Sequence, residues 1–141
     1  METIRKCQIP NAHAVANSKR RISIMPSERS KQVLQEMVML TVDVIKLCQQ
    51  SSLPVFIVSQ VSRSVSSIGA NFSEAQDASS SKDFINKIYI AKKEAAETKY
   101  WLTVVANLTD TGADIESLSN NAQQFTMMLQ KIINTSKAPL S

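Results

Sequence analysis

The chain has 141 residues, two glycines, four prolines, 43% apolar residues and a formal net charge of +4. That length suits one domain with a single core, and so few helix breakers among many Ala, Leu, Ile, Val, Lys, Gln and Ser residues favour helices. The longest apolar runs fall short of a membrane span, and the charged stretch from Met1 to Pro10 lacks the apolar region of a secretion signal. Cys7 and Cys48 are isolated and His13 is the single histidine, so the usual zinc arrangements are excluded and a reducing, cytoplasmic location is expected.

Residues 1–26 lack sustained periodicity, contain Pro10 and Pro26, and read as a flexible basic arm. The charge is concentrated there. Residues 1–31 hold Arg5, Lys6, Lys19, Arg20, Arg21, Arg29 and Lys31 against Glu2 and Glu28, which leaves nine basic and ten acidic residues for the remainder. Such a cluster suits phosphates or an acidic surface, and equally a solvated tail.

A bundle is expected over 27–137. Its first helix, 27–50, carries a stripe of Val33, Met37, Leu40, Val44 and Leu47, widened by Leu34, Val38, Ile45 and Cys48. Cys48 on that stripe reads as a buried small hydrophobe. Ser51 and Ser52 break the helix, and Pro54 suits the first turn of the next. The second helix, 54–77, repeats Ile57, Val61, Val65, Ile68, Phe72 and Ala75, with Ser64, Ser66, Ser67, Gly69 and Ala70 around them. Small residues allow close approach on more than one side, and Gly69 in mid-helix costs about 1 kcal/mol against Ala.

Ser79, Ser80 and Ser81 form the turn, and Ser80 followed by Asp83 is a capping-box variant. The third helix, 81–108, has the inner stripe Phe84, Ile88, Ala91, Ala95, Thr98, Leu102 and Val105, with Tyr89, Tyr100 and Trp101 off it. Thr111 and Asp114 signal the start of the fourth helix, 112–136. Its stripe is Ile115, Leu118, Ala122, Phe125, Met128 or Leu129, and Ile132. Similar lengths and short links predict an all-α, up-down-up-down antiparallel four-helix bundle.

On the second helix Arg63, Ser67, Asn71 and Glu74 share one face. On the third, Glu94, Glu97 and Trp101 share another. Folding back at Ser79 brings Arg63 between Glu94 and Glu97, so Arg63, Ser67, Asn71, Glu74, Glu94 and Glu97 are expected to form an interhelix polar network, with the ion pair fixing the register. A solvated charge pair is the plainer alternative.

The segment from Gln60 to Ala75 (QVSRSVSSIGANFSEA), with Ser81 to Ile85 (SKDFI) and Ile90 to Leu102 (IAKKEAAETKYWL), resembles the signature blocks of a bacterial family. This is the four-helix-bundle family encoded in intervening sequences of 23S ribosomal RNA genes, to which the accessory variability determinant of diversity-generating retroelements is similar. The resemblance implies a barrel-like homopentamer with no catalytic activity, and retroelement relatives that bind a reverse transcriptase and nucleic acid through basic surface. Two departures stand out. The turn after the second helix, often basic in the family, is here Gln76 to Ser81 (QDASSS), and the arm is longer than the resemblance leads one to expect.

No catalytic residues, metal ligands or cofactor site are expected. His13 lies in the arm, there is no Gly-rich phosphate loop, and Glu94 and Glu97 lack the Glu-x-x-His partners of di-metal bundles. Two readings remain. In one, a homo-oligomer contacts RNA or DNA through Arg5, Lys6, Lys19, Arg20 and Arg21, with Lys82, Lys87, Lys92, Lys93 and Lys99 of the third helix. In the other, the bundle is a scaffold for a partner protein encoded nearby, and those lysines merely solvate an outer face. Gly69, Ala70, Tyr100 and Trp101 are the expected interface between copies, since rings outside a core often mark contacts.

Overall fold

The computed structural model describes residues 27–110 and 112–139. It contains four α-helices, α1 (Glu28–Gln50), α2 (Val55–Gln76), α3 (Ser81–Leu108) and α4 (Gly112–Lys137). The arm, with Cys7, His13 and its basic residues, lies outside the described residues, as does Thr111 with its expected helix-start role.

Local sequence sets the helix ends. Ser27 caps α1 by accepting the Ser30 amide at 3.1 Å, and the Ser51 hydroxyl donates to the Leu47 carbonyl at 2.8 Å where α1 stops. Pro54 sits one residue before α2 rather than within its first turn. Its carbonyl accepts the amides of Ile57 and Val58, so the ring lies where the chain is still extended. At the α2–α3 turn the Asp83 amide donates to Ser80 Oγ at 3.0 Å, and the Asp83 carboxylate accepts the Ser79 amide at 3.1 Å. This is the reciprocal cap that the sequence implies, moved one residue outward on the carboxylate side.

Connections of a few residues leave consecutive helices no course but to run antiparallel. Each helix packs against its neighbours in the order α1–α2–α3–α4, and α4 returns to α1. The diagonal pairs do not meet backbone to backbone among the described residues. α3 is embraced along its length by α2 and α4, whereas α1 touches α4 sparsely. The bundle is therefore closed on three edges and looser on the fourth.

The core follows the apolar stripes. Met37, Val44, Val61, Val65, Ile68, Ile88, Leu102, Val105, Ile115 and Leu129 are essentially removed from solvent. Each large aliphatic side chain so buried contributes about 1.5–3 kcal/mol. Cys48 is a buried free thiol, and burial pushes its pKa up, as suits a small hydrophobe. In α4 the core takes Leu129 of the two candidates Met128 and Leu129, and departs from expectation at Ile132, whose neighbour Ile133 is buried instead, and at Leu118. Leu129 and Ile133 point inward, while Met128, Ile132 and Leu118 are only partly buried. Met128 and Leu129 are both apolar, as are Ile132 and Ile133, so the pattern alone cannot choose the inner one of either pair.

Ser64, one of the small residues beside the α2 stripe, is fully buried opposite Thr98. The two hydroxyl oxygens lie 3.1 Å apart, with Thr98 Oγ1 2.8 Å from the Glu94 carbonyl and Ser64 Oγ 3.1 Å from the Val61 carbonyl. Two hydroxyl hydrogens thus serve neighbours on both helices. The pair is satisfied without water, which is the condition for keeping polar atoms in a core.

Candidate interaction surface

Above the Ser64–Thr98 pair, the outer flank of α2 meets that of α3. Arg63 Nη1 lies 3.2 Å from Glu94 Oε2, and Arg63 Nη2 donates to Glu97 Oε1. The same Glu97 oxygen accepts the indole N–H of Trp101 at 3.2 Å, one helical turn away. The hydrogen bond from Arg63 holds the Glu97 carboxyl below the usual glutamate range. Partial burial works against that lowering, and the indole adds to it. Arg63, bonded to Glu97 first and attracted to Glu94 as well, is held more firmly protonated than usual.

Arg63 thus joins Glu94 and Glu97 across the seam, but the bonds do not extend along α2 as one ladder. Asn71 Nδ2 donates to the Ser67 carbonyl of its own helix, so it does not bridge. Glu74 pairs with Lys87 at 2.6 Å near the turn, and that bond raises the Lys87 pKa. Lys87, expected among the nucleic-acid contacts, is instead paired with Glu74. The fold-back at Ser79 that aligns Arg63 with Glu94 and Glu97 also aligns Glu74 with Lys87, so the signal was present.

Trp101 carries the network into an aromatic cluster. Its ring makes edge contacts with Tyr100 (centroids 5.1 Å, 75°) and with Phe56 at the start of α2 (5.7 Å, 88°). Such T-shaped geometry aligns ring edges with ring faces. Phe56 is 61% exposed and Tyr100 60%, while Trp101 is partly buried between them. Phe56 lies off the stripe of α2, and only packing shows that it reaches Trp101. Ala70, exposed two turns beyond Arg63, continues this flank of α2. Gly69 stands apart and faces α1 of its own chain. A Cβ added there would lie 3.5 Å from Met37 Cβ, an ordinary contact.

The lysines of α3 do not converge. Lys87 turns toward α2. Lys92 and Lys99 turn toward α4, donating to Gln130 Oε1 at 2.5 Å and Gln123 Oε1 at 2.8 Å, and Lys92 also lies 5.2 Å from the Tyr89 ring centroid. Lys82 and Lys93 are exposed on the outer face, three turns apart. Basic and acidic residues from 27 onward number eleven each, so the bundle is formally neutral. Among the described residues no cluster of His, Cys, Asp and Glu could hold a metal ion, and no helix is long and apolar enough to cross a membrane.

These features define the class: an antiparallel all-α four-helix bundle whose second and third helices are locked by an Arg–Glu–Trp junction. The chain belongs to the family of 23S rRNA-intervening sequence proteins, whose model matches residues 29–131. A similar solved structure is a protein of unknown function from the S23 ribosomal protein family of Bacteroides thetaiotaomicron. The two are 35% identical with a TM-score of 0.67, over 72% of this chain and 97% of that one. No curated protein matches. Neither the family description nor that of the relative names a catalytic activity.

Proposed function

We propose that this protein is a non-catalytic assembly module that associates first with further copies of itself, through the Phe56–Tyr100–Trp101 face. The observation that carries this reading is two aromatic rings some three-fifths exposed yet held in fixed edge contacts. Ordered, solvent-facing aromatics are the residues that interfaces favour, because they bury much area for little lost side-chain entropy. The junction beneath keeps Trp101 in one orientation, so the face is prepared before a partner arrives. Pentamer stoichiometry is the expectation from family resemblance.

Sedimentation velocity on the full chain and on a Phe56→Glu/Tyr100→Glu variant tests the reading. The variant is expected to sediment as a single bundle with unchanged helix content, and the parent as a larger species. A parent that sediments as one bundle, or a variant that keeps the mass of the parent, overturns it.

The segregated charge favours a second activity, contact with RNA or DNA phosphates through Arg5, Lys6, Lys19, Arg20 and Arg21, assisted by Lys82 and Lys93. Phosphate contacts release counterions and weaken steeply with salt. Anisotropy titrations over a salt series, with and without residues 1–26, are expected to show salt-sensitive binding that the truncation abolishes. Absence of binding in both sends the search to a protein partner, such as a neighbouring reverse transcriptase.

A further inference from the structure

The edge between α1 and α4 is a groove of about 680 Å³, with Leu40 and Phe125 on its buried floor and Met39 and Met128 on its walls. Contacts along the other three edges set which residues stand level across it. Gly69 faces Met37, and Thr41 Oγ1 lies 3.2 Å from the Val65 carbonyl. Ser64 meets Thr98, and Lys92 and Lys99 reach Gln130 and Gln123. Followed round the antiparallel bundle, these contacts place Glu36 level with Lys131, Met39 with Met128 and Asp43 with Gln124, each to within about 3 Å along the axis. All six residues line the groove.

The polar rim is left without partners. Among the described residues Asp43 and Lys131 form no side-chain hydrogen bond or ion pair, and Glu36 accepts only the Gln32 amide, at 3.2 Å. Met39, 48% exposed, stands between the two charged levels. The two walls thus carry an acid and a lysine at one level, two methionines at the next, and a carboxylate and an amide at the third. Such an edge is complementary to itself. A second copy related by a two-fold axis parallel to the helices lays its α4 along α1 and its α1 along α4, so that every level meets its own level. Reversing the second copy about the methionines instead sets α1 on α1 and brings Glu36 beside Asp43 of the other copy, two like charges together.

We propose that the α1–α4 edge is a second self-association surface, on which two copies pair isologously. Glu36 of each copy meets Lys131 of the other, Met39 packs on Met128, and Asp43 accepts the Gln124 amide, every contact occurring twice. The edge lies across the bundle from the α2–α3 flank, so the pairing goes beyond the assembly reading and does not depend on it. Exposed ion pairs are weak singly. The contact therefore adds to an assembly rather than founding one, and lone bundles stay apart in dilute solution.

Disulfide trapping tests the pairing in concentrated full-length chain, with Cys7→Ser and Cys48→Ala removing the native thiols and Phe56→Glu with Tyr100→Glu disabling the aromatic face. A chain carrying Met39→Cys, mixed with one carrying Met128→Cys, is expected to link under mild oxidation, while neither links to itself. Lys131→Glu in both chains should slow the link several-fold, and so should Glu36→Lys in both. Lys131→Glu in one chain and Glu36→Lys in the other should restore it, because one copy then supplies both carboxylates and the other both ammonium groups. Asp43→Cys and Gln124→Cys, at exposed positions, replace the methionine sites if those variants lose helix content. Absence of a link at native helix content overturns the proposal, as does a rate indifferent to charge. Self-linking of the Met39→Cys chain overturns it too, since that marks the reversed pairing.

Discussion

Arg63 and Glu97, 34 residues apart in the chain, meet across the α2–α3 seam at a carboxylate oxygen that also accepts the Trp101 indole. One oxygen thus ties together the register of two helices and the orientation of the largest exposed-edge aromatic. The pair stands at the boundary with solvent, with the Arg63 side chain 47% exposed, so its direct contribution to stability is modest.

The lowered pKa of Glu97 gives that contribution a pH dependence. A depressed carboxyl pKa adds stability that is full above the unfolded value, near 4.5, and lost as pH falls through the folded value. Glu97→Gln is expected to cost under about 1 kcal/mol at pH 7. The difference from the parent should shrink toward pH 3. Urea denaturation of both proteins at the two pH values reads it, and an equal difference at both would remove Glu97 from the acid limb.

The inner register of α4 is testable by paired truncation. Ile133→Ala removes a side chain 3% exposed and is expected to cost about 2–5 kcal/mol. Ile132→Ala, one residue earlier and partly buried, should cost clearly less. Thermal or urea unfolding of the two variants decides between the registers.

Gly69→Ala should stabilise the bundle by up to about 1 kcal/mol, because the helix gains propensity. The new methyl finds ordinary contact with Met37 rather than a clash. Gly69→Leu should instead force α1 outward and lower the melting temperature. A melting temperature that falls for Gly69→Ala would show that the glycine is needed for close approach after all.

Ser64 and Thr98 should be energetically coupled. A double-mutant cycle of Ser64→Ala and Thr98→Val is expected to give an interaction of about 0.5–1 kcal/mol, since each hydroxyl faces the other in a water-free core. Additive effects would mean that the helix carbonyls alone satisfy both groups.

The amino-acid pattern by itself determined four helices, their turns, the antiparallel order and most of the core. These are local properties: three- and four-residue apolar spacing, serine caps at Ser27 and Ser80, and links too short for any crossover. It also reached the pairing of Arg63 with Glu94 and Glu97, because antiparallel helices joined by a tight turn are aligned by residue count alone. Tertiary structure decided whatever depends on the azimuth and tilt of one helix against another. It selected Leu129 and Ile133 over equally apolar neighbours, turned Ser64 inward to Thr98 and set Phe56 against Trp101. It also sent the lysines of α3 to different sides and left the α1–α4 edge open. A sequence fixes which residues share a face of one helix, but which faces meet follows only from how four such surfaces interlock.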